Sequence, residues 1–368
     1  MQPRIVSIVI CLLIYAISCD YDPVEMDSGS LLNIPYAPEA VTISIPSTYP
    51  NLDIPLDNLM TKEGIQLGRK LFFDPILSRD STQSCSSCHH ANLGFTDSLP
   101  VSKGVDKLNG RRSAMSLLDA GFQHVGLFWD GRSETLEKQA LKPVEDPLEM
   151  HALWPDVIAK LKRSNHYPTE FRKAFGIPVK DSINRELAVK AIAQFERTFV
   201  SSGKSKFDLA LTPGSGVFFT ESEERGFIMY FDKSGGRMPD AECFHCHNSP
   251  LMASSDYFNN GIQKVITLED FPDKGRGEVT GRLLDNGMFR APTLRNIALT
   301  APYMHDGRFK TLGEVLDHYS SGGFPADNKN PFIRKLNLTQ GQKEDILAFL
   351  NTLTDSTFLN RPDLRTPF

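Results

Sequence analysis

The stretches CSSCH at residues 85–89 and CFHCH at residues 243–247 place two cysteines two residues apart with a histidine directly behind the second, twice in one chain. No other feature constrains the fold as much. Thiols at that spacing reach the two vinyl groups on one edge of a haem, and the adjacent histidine then stands beneath the iron. A zinc ribbon needs its pairs about 15–20 residues apart, whereas Cys88 and Cys243 are separated by most of a domain. Disulfides within each pair would leave the two trailing histidines without a purpose. The expectation is two covalently attached c-type haems, one on Cys85, Cys88 and His89, the other on Cys243, Cys246 and His247.

The remaining two cysteines, Cys11 and Cys19, belong to an export signal over residues 1–19. Arg4 precedes the apolar run IVSIVICLLIYAI, which is short for a membrane span. The run ends at AISC, which resembles a bacterial lipoprotein signal with Cys19 as the acylated residue; simple cleavage and an uncleaved anchor are the alternatives. Residues 20–55, rich in Pro, Ser, Asp and Tyr, read as a tether to a periplasmic body. A net charge of −5 with no Lys/Arg run excludes a nucleic-acid partner. A length of 368 residues suggests two domains.

An internal repeat sets the domain plan. WDGRSETL at 129–136 matches HDGRFKTL at 305–312, an offset of 176. The expected fold is mainly α: two cytochrome c-like haem domains related by duplication, over residues 56–205 and 206–368. In the second copy Thr311 and Glu314 form a capping box that opens a helix. Leu312, Val315, Leu316 and Tyr319 share its inward face, His318 its polar side, and Gly322 and Gly323 stop it. Further helices follow from SINRELAVKAIAQFERTF and from TQGQKEDILAFLNTL, the latter with a capping box at Thr339 and Gln342. Tyr319 reads either as a packed aromatic or as a sixth ligand of the second haem, with Met288 and Met304 as rivals. The offset carries Tyr319 onto Pro143, which cannot bind iron, so one haem is expected closed and the other open.

These motifs, with FWDGR and APTLRNIALTAPYMHDGR, resemble the bacterial di-haem cytochrome c peroxidase family, which includes the MauG-type enzymes. The resemblance spans about residues 56–365. It implies a first haem that meets hydrogen peroxide and a second that handles electrons. It further implies that Trp129 lies between the haems, that Gln139 and Glu149 stand over the peroxidatic iron, and that Pro143 is the MauG-like residue there. Thr300 and Pro302 match residues whose carbonyls help hold a calcium ion, and the family's asparagine ligand stands here as Ser113. Val105 occupies the place where reductively activated members carry a blocking histidine. Tyr319 replaces their methionine.

The chemistry expected is peroxide cleavage with Glu149 as acid–base group and Gln139 orienting the oxidant. Glu149 also reads as a solvated carboxylate in VEDPLEM, and Trp129 as a core aromatic beside the DGR turn. Tyrosine at the second iron favours higher oxidation states where methionine favours ferrous iron, so MauG-like high-valent chemistry is implied. The electron source is a small cytochrome c or cupredoxin, or Trp/Tyr side chains of a protein substrate. A two-haem electron carrier and a haem sensor are the competing readings. His305 is expected to hydrogen-bond near the site. Family members often pair, so a homodimer is also implied.

Overall fold

Threonine caps open the helices that frame the chain. The computed structural model describes residues 29–368, so the export signal, with Cys11 and Cys19, lies outside the described residues. Among the described residues the helices are α1 Lys62–Phe73, α2 Leu136–Glu145, α3 Trp154–Arg163, α4 Tyr167–Phe175, α5 Arg185–Glu196 and α6 Lys206–Ala210 in the first part of the chain. They are followed by α7 Glu221–Tyr230, α8 Arg276–Thr280, α9 Leu312–Ser321, α10 Gln340–Asn351 and α11 Ser356–Leu359. The hydroxyls of Thr61, Thr135, Thr220, Thr311 and Thr339 accept first-turn N–H groups of α1, α2, α7, α9 and α10, donors that would otherwise lack partners. Both predicted capping boxes are present, and Gly322 ends α9 at φ 82°, in the left-handed region. The named strands are two residues each, β1 Tyr257–Phe258 antiparallel to β2 Phe289–Arg290. Helix therefore dominates, and no described helix is long and apolar enough to cross a membrane.

Two helix crossings organise two cores. At the first, α1 meets α5 so closely that a β-carbon on Gly68 would lie 1.9 Å from the Ala191 carbonyl oxygen. At the second, α7 meets α10, and a β-carbon on Gly226 would lie 2.0 Å from the Asp345 carbonyl oxygen. Leu67, Leu71, Val157, Phe171 and Ile192 belong to the first core, and Met229, Tyr230, Ile346, Phe349 and Leu353 to the second. A backbone carbonyl cannot swing aside as a side chain can. Gly226→Ala is therefore expected to cost about 1–3 kcal/mol through overpacking, read as a drop of several degrees in the calorimetric Tm of the haem-loaded protein. An unchanged Tm would mean that the crossing has slack.

Other pairs recur in both halves. Leu127 bridges Ser133 and Tyr303 bridges Phe309, both at the sequence offset of 176. Asp119 and Asn296, each at φ 58°, accept the backbone N–H groups of Ser201 and Asp355 at 2.8 and 2.6 Å. Thr135 and Thr311 cap ten-residue helices in which Pro143 and Tyr319 hold the same position.

Two expectations need correction. Residues 29–55 were expected as tether, but they are docked. Leu31 is buried in the first core with its N–H on the Pro178 carbonyl, and Val41 bonds the Met60 carbonyl. Tyr49 is buried with its ring 5.7 Å from that of Phe122, and the Arg295 guanidinium lies 5.0 Å from its ring centroid. Scattered apolar residues with no period hid this docking inside a polar composition. The second correction concerns residues 356–364, assigned to the second domain. Phe358 and Leu364 complete a cluster with Phe72, Phe95, Phe195 and Phe199 of the first half. Arg361 and Arg69 tie the return, bonding the Thr198 and Pro362 carbonyls at 3.0 and 2.8 Å.

Candidate active site in two cavities

Each cysteine pair forms a tight turn on the rim of its own cavity. Cys85–Ser87 and Cys243–His245 are single 3-10 turns, and the N–H groups of His89 and His247 return to the carbonyls of Cys85 and Cys243 at 3.1 and 3.0 Å. All four thiols are free, and they line cavities of about 270 and 200 Å³. His89 Nδ1 donates to the Phe95 carbonyl at 2.8 Å and His247 Nδ1 to the Pro292 carbonyl at 2.9 Å. A carbonyl can only accept, so both rings keep the Nε2 lone pair free for a metal. Desolvation lowers the basicity of both rings, His247 to about 4, which holds them neutral and ready to ligate. Two unpaired thiols, a neutral imidazole and an adjoining cavity fit one haem at each place.

The first cavity is also lined by α2 and the turn after it. Gln139, Pro143 and Glu149 all face it. The Glu149 backbone is fixed by its N–H on the Asp146 carbonyl and by Val105 N–H on its own carbonyl at 2.8 Å. Glu149 is open to the cavity but enclosed by protein elsewhere, and this desolvation, then the charge of Asp146, raises its pKa to about 7 against the opposing pull of Arg132. It is no solvated loop carboxylate. Val105 is buried and lies outside the lining. Among the described residues that line this cavity His89 is the only histidine, while Met115 and Met150 supply thioethers that sequence reasoning did not weigh. Glu196 also lines it, desolvated to a pKa of about 8.

Trp129 lines both cavities. Its Nε1 donates to the Ser113 carbonyl at 3.0 Å and its backbone carbonyl accepts the Arg290 N–H at 2.8 Å, so the residue is held through both ring and backbone. In the second cavity Tyr319, on α9, converges with Met304. Asn260 Nδ2 lies 3.3 Å from the Tyr319 hydroxyl, to which it donates, and 3.4 Å from Met304 Sδ. Met288 does not line the cavity. Desolvation raises the Tyr319 hydroxyl to about 12 despite the Asn260 bond. His318, expected on the polar side, is half-buried, and its Nε2 donates to the Asn260 carbonyl at 3.0 Å. It thereby holds the backbone of the residue whose side-chain amide reaches Tyr319. Nothing in the local pattern of FNNG marks Asn260 for that task.

His305, expected to hydrogen-bond through its ring, instead stacks on Phe289 with centroids 3.7 Å apart, 6.5 Å from the Trp129 ring. Its backbone carbonyl accepts the Ser113 N–H. Ser113, Thr300 and Pro302 line one cavity, but the Ser113 hydroxyl already donates to the Met304 carbonyl at 2.9 Å. These are neutral oxygens, whereas calcium sites draw six to eight ligands and commonly carboxylates. The trio fits the ion only in part.

The family model for di-haem cytochrome c peroxidases matches residues 62–214. The chain is 35% identical over 305 residues to the cytochrome c551 peroxidase of Nitrosomonas europaea, covering 82% of each protein. It is 30% identical over 305 residues to the methylamine utilization protein MauG of Methylophilus methylotrophus, covering 82% of this chain and 86% of that one. A solved MauG-like protein associated with microbial copper homeostasis matches at 36% identity and a TM-score of 0.78, over 89% of this chain and 99% of that one. With likeness of this extent in both sequence and fold, the chain belongs to the di-haem cytochrome c peroxidase family and is an oxidoreductase with two haem cofactors.

Proposed function

We propose that this enzyme reduces hydrogen peroxide in the first cavity and draws electrons through the second. One observation carries the reading: a carboxyl with a pKa of about 7, Glu149, faces a cavity whose lining has His89 as its only histidine, while Pro143 stands where α9 has Tyr319. Cys85, Cys88 and His89 hold one haem, and Cys243, Cys246, His247 and Tyr319 the other, in two copies of one ancestral domain. The recurrent bridges and helix crossings support that duplication.

When bound, the haems supply the redox chemistry of O–O cleavage. Turning one peroxide into two waters takes two electrons and two protons. Glu149 is placed to take a proton from one peroxide oxygen and return it to the other, and Gln139 to orient the oxidant. Trp129 bridges the two cavities as the electron path. The export signal, with a lipid on Cys19, puts the enzyme in the periplasm, and Ser113, Thr300 and Pro302 are the candidate calcium ligands.

Two electron sources suit this arrangement. A small cytochrome c or cupredoxin makes the protein a peroxide scavenger. A protein substrate oxidised at Trp or Tyr makes it MauG-like. Tyr319, in contact with Asn260, favours the second. A purely electron-carrying protein would need a residue closing the first haem.

The test is the absorption spectrum of the fully oxidised protein before and after one equivalent of hydrogen peroxide, with no reductant. A change within the mixing time is expected. No change until an electron is added would mean that Met115, Met150 or another residue closes the first haem, and the reading would fail.

A further inference from the structure

Arg290 is a buried cation without an anion. The residue is 7% exposed, yet its Nε has no hydrogen-bond partner. Nη1 lies 3.4 Å from the Gly126 carbonyl and Nη2 lies 3.7 Å from Met115 Sδ, both weak contacts. Among the described residues no carboxylate forms an ion pair with it. Its neighbours differ: Arg112 takes Asp130 at 2.5 Å and Asp273 at 2.7 Å, and Arg295 takes Asp208 at 2.9 Å. Burial of an unpaired charge is costly enough that desolvation lowers the Arg290 pKa to about 10.

Its position points to the missing partner. Arg290 lines both cavities, and its N–H is bonded to the carbonyl of Trp129, which lines both as well. The planar guanidinium fork matches carboxylates in two directions at once. A haem brings its own carboxylates, the two propionates, into whatever pocket holds it.

We infer that Arg290 is a carboxylate-binding site shared by the two cavities, its ligands being one propionate from each haem. This rests on the reading of both cavities as haem pockets. Each haem gains one negative charge on reduction, so a cation fixed between the propionates favours the reduced form of both. One side chain thus links the two reduction potentials.

The experiment is spectroelectrochemical titration of Arg290→Gln in the haem-loaded protein, preceded by a pyridine haemochrome count. Loss of the charge is expected to shift both one-electron equilibria towards the oxidised form by about tenfold, ~59 mV downward for each haem. Two haems with one or both potentials unmoved would overturn the shared site and leave the pocket reading standing. A count below two in the parent protein would overturn both. Arg290→Lys keeps the charge and loses the fork, which decides the matter if the glutamine variant fails to fold. With 13C-labelled propionates, its redox-difference infrared spectrum is expected to show displaced carboxylate bands from both haems. Bands identical to the parent's would also overturn the assignment.

Discussion

Glu149→Gln is expected to cut the rate constant for peroxide cleavage by about 10²–10⁴-fold. The substitution keeps the size and planarity of the side chain, so both haems should stay bound and the cavity should keep its shape. Only the ability to take up and return a proton disappears. The pH profile gives the sharper check. With its pKa raised to about 7, Glu149 must lose its proton before it can act as a base, so the wild-type rate should climb as pH rises through about 7 and level off above. The glutamine variant should lack that limb. The sign for stability is opposite. A folded-state pKa raised above the ordinary 4.5 means that folding favours the protonated form. That contribution is fully present below pH 4.5 and is lost as pH rises through about 7. Stopped-flow rates from pH 5 to 9 on both proteins would settle it, and a pH limb that survives in the variant would assign the proton transfer elsewhere.

The second large effect concerns the cysteine pairs. Joint replacement of Cys85 and Cys88 by serine is expected to reduce the covalent haem count from two to one and to abolish the reaction with peroxide. Replacement of Cys243 and Cys246 should likewise leave one haem, but that haem should still respond to peroxide. The difference follows from the cavities: Glu149 and Gln139 line only the one that Cys85 and Cys88 share with them. Haem staining after denaturing electrophoresis gives the count, and absorption after peroxide gives the reactivity. If both double variants lost peroxide reactivity equally, the division of labour between the cavities would be wrong.

Legibility in the sequence tracked how local each feature is. The cysteine turns, the boxes at Thr311 and Thr339 and the stop at Gly322 depend on neighbours within a few residues, and the letters alone carry them. The offset that aligns Pro143 with Tyr319 survived because no insertion falls between the repeated turn and its helix. Burial of Glu149 was hidden: VEDPLEM is an acidic loop by composition, and only the packing of Gly104 and Val105 against 148–149 encloses it. Asn260 and Arg290 were missed for a related reason. Asn260 reaches a side chain far away in sequence and Arg290 lines both cavities, and neither has a local pattern that distinguishes it from a turn asparagine or a surface arginine. The docking of 29–55 and of 356–364 rests on single apolar residues entering distant clusters, which leaves no periodicity to detect.

The docked N-terminal segment limits how far a lipid anchor could hold the body from a membrane. Among the described residues, backbone contact with the body starts with Lys180 N–H on the Gly29 carbonyl at 3.0 Å. Were Cys19 to carry the lipid proposed above, Gly29 would follow it by ten residues, a span of at most ~35 Å even for fully extended chain. An enzyme so tethered would patrol a thin shell beside its membrane rather than the bulk of the compartment. Its electron donors or protein substrates would then be met at that surface, where encounter is a two-dimensional search.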